Sequence, residues 1–246
     1  MTARCTWLFD LDDTLHDAGA YVFGALHESM GVFVQRELRI TREEADRLRR
    51  QYWLRYGATL LGLVKHHGVK PAHFLHETHL LPGLEERVTG HRHDLAVLRR
   101  LPGRKLILTN APRAYALRVL QALGVAQLFD GVITIEDMAM FGHLRPKPDA
   151  RMFRALAARL RVPPSRCVLV EDTLDHQKSA RSIGMHTVWM QRFGRRSPTR
   201  AQRQRWSRQP AYVQLKTSRL NDLLRPGKHQ PLRCGKSMKT GESGGV

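Results

Sequence analysis

The sequence predicts an α/β fold: a doubly wound parallel sheet with a helical cap inserted after its first strand. Three observations carry this. Short, continuous apolar runs recur and end in polar residues, most are followed by helical periodicity, and about ninety residues separate the first run from the second. Runs without apolar/polar alternation suit strands covered on both faces, and their alternation with helices suits a parallel sheet.

The expected strands are CTWLFD (5–10), RKLILTN (104–110), GVITIED (131–137), RCVLVED (166–172) and HTVWM (186–190). Between them, PRAYALRVLQALG sets Tyr115, Leu117, Val119, Leu120 and Leu123 on a helical stripe and closes on Gly124. DARMFRALAARLR does the same with Met152, Phe153, Leu156, Ala157 and Leu160 before Pro163 and Pro164. QKSARSIGM ends on Gly184, a natural helix cap. The long stretch after the first strand exceeds an ordinary βα connection, so it must carry its own structure. Its content is helical: AYVFGALHESMGVFVQREL, then one segment from Thr41 to His67 opened by Thr41 and Glu44 as a capping box, then PAHFLHETHLL. The expected division is a core of residues 1–16 and 93–224, a cap of residues 17–92 over the carboxyl ends of the strands, and a disordered basic tail of residues 225–246. Near the end, AYVQLKTSRLNDLLRP predicts one more strand and a helix returning to the core.

Length and composition fit a folded chain: 246 residues, 42% hydrophobic and 26% charged. The three cysteines, Cys5, Cys167 and Cys234, lack the spacing of a disulfide framework or a zinc site, so inert buried thiols are expected at Cys5 and Cys167. With no secretory leader and no membrane-length apolar window, a cytoplasmic protein is the expectation, with no membrane partner. The net charge of +19 points to polyanions or small phosphorylated molecules as partners.

Against that positive background, DLDDT at 10–14 gathers acids where the first strand ends. Asp10 and Asp12 are two apart and lean to the same side of an extended chain. Such carboxylates repel unless a cation joins them or one keeps a proton. A hard dication such as Mg2+ takes oxygen ligands and commonly binds one or two carboxylates plus a substrate phosphate. Other strand ends supply complements: Thr109 and Asn110 before a helix, where hydroxyl and backbone amides can hold an anion; Lys147 in a proline-stiffened loop; Asp172 as a further metal ligand, with Glu171 beside it as an outer partner.

In this order DLDDT at 10–14, TN at 109–110, Lys147 and ED at 171–172 resemble the haloacid dehalogenase superfamily of Mg2+-dependent phosphohydrolases, across roughly residues 5 to 224. The resemblance implies a Rossmann-like core and a phosphomonoesterase. Asp10 would be the nucleophile forming an aspartyl-phosphate, and Asp12 the acid that protonates the leaving alcohol and then the base that activates water. The metal would rest on Asp10, Asp172 and the backbone carbonyl of Asp12, while Thr109, the Asn110 amide and Lys147 hold the phosphoryl group. An aspartate at position 12 favours a phosphatase over a dehalogenase or a transport ATPase. His176 departs from the pattern, since close relatives carry Asn or Asp there. Residues 55–69 and 184–190 further resemble pyrimidine 5′-nucleotidases, which implies UMP- or CMP-like substrates. A sugar phosphate or phosphoglycolate is the alternative. Tyr52, Tyr56 and Thr59 are candidates to touch the leaving group, although tyrosines at helical spacing also pack.

Two other features admit function. His73, His76 and His79 lie three apart, and an exposed neutral patch is preferred to a metal site there. Arg192, Arg195, Arg196, Arg200, Arg203, Arg205 and Arg208, with Trp206 among them, can be read as a nucleic-acid contact; a solvated basic loop is the preferred reading.

Overall fold

A computed structural model describes residues 5–193 and 208–224. Its centre is a six-stranded parallel sheet: β1 (Thr6–Phe9), β2 (Arg104–Leu108), β3 (Gly131–Ile133), β6 (Cys167–Glu171), β7 (His186–Met190) and β8 (Leu215–Thr217), in the order β3-β2-β1-β6-β7-β8. All five runs expected as strands are present. The run at 131–137 stops being strand after Ile133, because Thr134 and Asp137 form a capping box that turns the chain into a 3-10 turn. A two-residue hairpin not foreseen from the sequence, β4 (Ala139–Met140) with β5 (His143–Leu144), follows.

The pleat divides the strand residues between two cores. Trp7, Phe9, Ile107, Val168 and Val170 face one side, and Leu8, Leu106, Leu108, Cys167 and Leu169 the other. The first side is covered by α6 (Arg92–Arg100) and α7 (Arg113–Ala122), the second by α8 (Ala150–Leu160), with Ala180 of α9 (Leu174–Ser182). On α7 the buried residues are Tyr115, Ala116, Val119 and Leu120, so the apolar stripe is narrower than expected, and Leu117 points outward at 45% exposure. Gly124 and Gly184 follow α7 and α9 at φ of 66° and 92°, the left-handed geometry that favours glycine. The helix expected near the end is a 3-10 turn, Leu220–Leu224, that buries Leu220; its backbone N–H donates to Asp94 Oδ1 at 3.0 Å.

The inserted segment is helical: α1 (Val22–Leu38), α2 (Arg42–Tyr56), α3 (Thr59–His67) and α4 (Pro71–Thr78). Thr41 and Glu44 form the expected capping box. The single helix expected from Thr41 to His67 is broken at Gly57, whose φ of 80° folds α3 back onto α2. Phe33, Val34, Ala45, Tyr52, Leu60, Leu63, Phe74 and Leu75 make a separate apolar cluster, joined by Ile135 and Leu144 from beyond β3. Leu81 and Leu84, the latter opening α5 (Leu84–Arg87), pack into the sheet core instead.

Cys167 is a free buried thiol, pushed up to about 11 by burial. Cys5 is disulfide-bonded, which corrects the expectation of an inert thiol there: pairing depends on approach in space, which linear spacing does not encode. Among the described residues no helix is long and apolar enough to cross a membrane. Arg195, Arg196, Arg200, Arg203, Arg205, Trp206 and the tail at 225–246 lie outside the described residues. Arg192 lies within them and pairs through Nε with the buried Asp94 carboxylate.

Candidate active site

Strand β1 pairs in parallel register with β2 on one side and β6 on the other, Phe9 standing level with Ile107 and Val170. The residues just beyond these strands therefore share one rim. The chain leaves β1 toward β2 and returns at β6, which makes the gap above β1 and β6 the switch point where such sheets bind ligands.

Asp10 continues β1, its N–H donating to Val170 O at 2.9 Å, and is 6% exposed. Its Oδ1 accepts from Lys147 Nζ at 2.6 Å and its Oδ2 from Thr14 Oγ1 at 3.2 Å, so the carboxylate is fixed at both oxygens. Lys147 is 2% exposed, and its ammonium also donates to Glu171 Oε2 at 2.8 Å and Leu108 O at 2.9 Å. All three ammonium protons are thus used. Asn110 holds this lysine in place: its Nδ2 donates to Lys147 O and its Oδ1 accepts from Lys147 N, both at 2.9 Å. The Asn110 side chain is therefore a clamp on Lys147, a part its sequence context did not reveal. Thr109, 1% exposed, accepts from Ala111 N at 3.0 Å through Oγ1 and gives its own proton to no described acceptor.

Glu171 is more than an outer partner. Its Oε2 holds Lys147 and lies 2.9 Å from His176 Nδ1, out of hydrogen-bond alignment, while Oε1 accepts from Thr173 N at 3.1 Å. Carboxylate oxygens of Asp10, Glu171 and Asp172 all lie within 4.8 Å of one another. Burial pushes Asp10 up to about 7, the charge of Glu171 adding to it and Lys147 opposing it. Burial, Glu171 and Asp10 likewise raise Asp172 well above the usual carboxylate range. Glu171 goes the other way: burial alone would raise it, but Lys147 and then His176 outweigh burial and hold it low. Lys147 is raised, since Asp10 and Glu171 overcome the burial that disfavours its charge. Three crowded carboxylates with one ammonium among them leave negative charge uncompensated. An all-oxygen donor set of this kind fits a hard dication: Asp10, Glu171 and Asp172 stand together, and although Asp10 and Glu171 each accept a hydrogen bond at both oxygens, every carboxylate oxygen has a further lone pair to offer.

Asp12 is not part of that cluster. Its Oδ1 accepts from the Tyr115 hydroxyl at 2.5 Å and lies 2.9 Å from His16 Nε2, and its side chain keeps 21% exposure. Burial would raise Asp12, but the hydrogen bond and charge of His16, with the Tyr115 hydroxyl, hold it below the usual range. Asp13 takes the left-handed conformation, φ 55°, and its Oδ1 accepts from Gly19 N at 2.9 Å, which turns the chain out of the rim.

The structure brings together Asp10, Lys147 and the 171–172 pair, and sets Asn110 on the lysine. The remaining candidates are engaged inside the cap: Tyr52 OH lies 2.7 Å from His67 Nε2, Tyr56 OH lies 2.6 Å from His66 Nε2, and Thr59 Oγ1 donates to Arg49 O at 3.4 Å. His79 corrects the exposed histidine patch. Its ring stands edge-on to Tyr115 at 5.8 Å, and burial lowers it to about 4. Sequence reasoning missed Tyr115 as anything but packing, and His16 carried only its position four residues after Asp12.

Fold and rim define an open doubly wound α/β protein with a cluster of charged side chains at its switch point. Residues 6–184 match the family of haloacid dehalogenase-like hydrolases, and the chain belongs to that family. It is similar to phosphate metabolism protein 8 of Saccharomyces cerevisiae, 27% identical over 199 residues, 76% of this chain; it spans only 61% of the yeast protein's length. It is also 27% identical, over 73% of its length and 82% of the relative's, to a glyceraldehyde 3-phosphate phosphatase of Methanothermobacter thermautotrophicus. Among solved structures, a HAD phosphatase from Thermococcus onnurineus aligns over 90% of this chain and 96% of its own, with a TM-score of 0.56 and 24% identity. An L-2-haloacid dehalogenase from Xanthobacter autotrophicus aligns over 90% and 97%, with a TM-score of 0.54 and 16% identity. These two likenesses concern the fold.

Proposed function

We propose that this protein is a Mg2+-dependent phosphomonoesterase that works through an aspartyl-phosphate on Asp10. The observation that carries the reading is the buried Lys147 ammonium bridging Asp10 and Glu171 beside Asp172, with a second aspartate, Asp12, held separately two residues on. Asp10, Asp172 and the backbone carbonyl of Asp12 would hold the magnesium ion, which would neutralise charge on the phosphoryl oxygens.

The protein's own groups account for the remaining chemistry. Lys147 and Thr14 keep the Asp10 carboxylate in one orientation, as in-line attack on phosphorus requires. Asp12, held as a carboxylate in the free protein, takes up a proton as the anionic phosphate enters beside it; as the bond from Asp10 to phosphorus forms and the bond to the leaving oxygen breaks, it gives that oxygen the proton. Asp12, now a carboxylate, takes a proton from the water that attacks the aspartyl-phosphate, releasing inorganic phosphate and restoring Asp10. The free hydroxyl proton of Thr109 is available to a phosphoryl oxygen, and Lys147 supplies positive charge beside it.

The substrate is a small phosphorylated metabolite. The sequence resemblance at 55–69 and 184–190 favours a pyrimidine nucleoside monophosphate. The likeness to a glyceraldehyde 3-phosphate phosphatase favours the second reading, a sugar phosphate. A phosphate-release panel with Mg2+ over UMP, CMP, triose and hexose phosphates and phosphoglycolate decides between them. Inert UMP and CMP beside a hydrolysed sugar phosphate overturns the nucleotide reading and keeps the mechanism. EDTA should silence the wild type, and Asp10→Asn should abolish release while leaving the fold intact. Normal rates in that variant would refute the nucleophile.

A further inference from the structure

We propose that Tyr115 is a positioning residue for proton transfer: with His16 it fixes Asp12 through Oδ1 and leaves Oδ2 as the oxygen that carries the proton. The inference rests on the acid–base reading of Asp12 above and goes beyond it.

Two donors meet on one atom. The Tyr115 hydroxyl reaches Asp12 Oδ1 at 2.5 Å and His16 Nε2 reaches the same oxygen at 2.9 Å. The carboxylate oxygen can only accept, so the phenol hydroxyl is the donor of this bond. His16 is fully buried and its Nδ1 has no hydrogen-bond partner, so the side-chain contact its ring makes with Asp12 runs through Nε2. No described donor reaches Oδ2. The two oxygens of Asp12 are thereby made different, one occupied and one open.

The donors themselves do not move freely. Tyr115 is 1% exposed, set in α7 among Ala116, Val119 and Leu120 of the sheet core. His16 lies across a turn, four residues after Asp12, and is tied into backbone bridges with Asp12 and Gly90. Behind the phenol ring stands His79, at the end of α4, edge-on at 5.8 Å. A core helix and the loop after β1 therefore hold the acid from two directions, with the cap segment backing one of them. A carboxylate that rotates about its last torsion loses alignment with the leaving oxygen, and small misplacements of a catalytic group cost up to about 100-fold in rate.

The test is Tyr115→Phe in the full chain with Mg2+, its fold checked by circular dichroism and melting. p-Nitrophenyl phosphate has a leaving group that needs no proton; an alkyl phosphate has one that does. Both phosphates require Asp12 as base to discharge the aspartyl-phosphate. The expected variant therefore releases a burst of p-nitrophenolate equal to the active sites, then turns over about 10- to 100-fold more slowly than wild type, with KM little changed. With the alkyl phosphate it shows no burst and turns over more slowly still, because forming the aspartyl-phosphate there also needs the proton from Asp12. Unchanged turnover overturns the proposal, and so does an equal slowing of both esters without a burst, which marks a merely structural tyrosine. Should Tyr115→Phe misfold, His16→Phe removes the second donor and is read by the same burst. Asp12→Asn is the control: full activity in that variant refutes the acid–base reading itself, whatever Tyr115 does.

Discussion

Replacing Lys147 by methionine keeps most of the side-chain volume and removes the one ammonium in the acidic cluster. In the native protein that ammonium has three acceptors, at 2.6, 2.8 and 2.9 Å, and is 2% exposed. Truncating one partner of a buried ion pair leaves the other charge desolvated and costs about 3–5 kcal/mol, and here two carboxylates are left. Both keep some support, Glu171 from Thr173 N–H and Asp10 from Thr14, so the expected loss stays within about 3–5 kcal/mol for metal-free protein. The sign of the pH dependence follows from the carboxyls. Asp10 is already raised to about 7 with Lys147 present and rises further without it; Glu171 loses the counter-charge that held it low. The folded variant then binds more protons than the unfolded chain near neutrality, so its stability falls as pH rises. Urea unfolding in EDTA, followed by the fluorescence of buried Trp7 and Trp189, should show the variant's deficit to be largest near pH ~7.5 and smaller near pH ~5.5. A deficit below about 1 kcal/mol at the higher pH, or one that grows on acidification, refutes the assignment of Lys147 as the compensating charge.

Asn110→Ala removes both bonds that clamp the Lys147 backbone and should cost about 1–3 kcal/mol in urea unfolding, with a loss of phosphate release exceeding that of a surface Asn→Ala. His79 is lowered to about 4 by burial, whereas the unfolded chain takes up its proton near the ordinary value of 6.5. Stability should therefore fall as pH drops from that value toward 4, by up to about 3 kcal/mol from this group, and His79→Gln should flatten the slope of urea midpoint against pH. In α3 a Cβ on Gly62 would lie 2.1 Å from Tyr52 Cγ, so Gly62→Ala should lower thermal stability by about 1–3 kcal/mol and open the cap to proteolysis.

How much of this was legible in the sequence depended on whether a residue's partner was local. The strands were readable because burial on both faces forces continuous apolar runs such as those of β1 and β6, and the capping box at Thr41 and Glu44 is closed within a single turn. Asp10, Lys147 and Asp172 stood out because each ends a strand or sits in a stiff loop at the same rim, and parallel register converts similar sequence context into proximity. What the sequence withheld was everything set by rotation about a helix or by contact across the fold. Gly57 breaks a helix whose apolar pattern runs through the break, because only its backbone freedom distinguishes it. Tyr115 sits on the same buried stripe as Val119 and Leu120, yet the polar tip of its ring reaches an aspartate 103 residues away. Asn110 reads as a helix-start residue while its amide is spent on a backbone 37 residues on. A buried polar tip must find a partner, and the partner it finds in space carries no mark in the chain. An acidic strand end can thus announce a reaction from sequence alone, while the groups that hold its acids in place show only when the helices are set against the sheet.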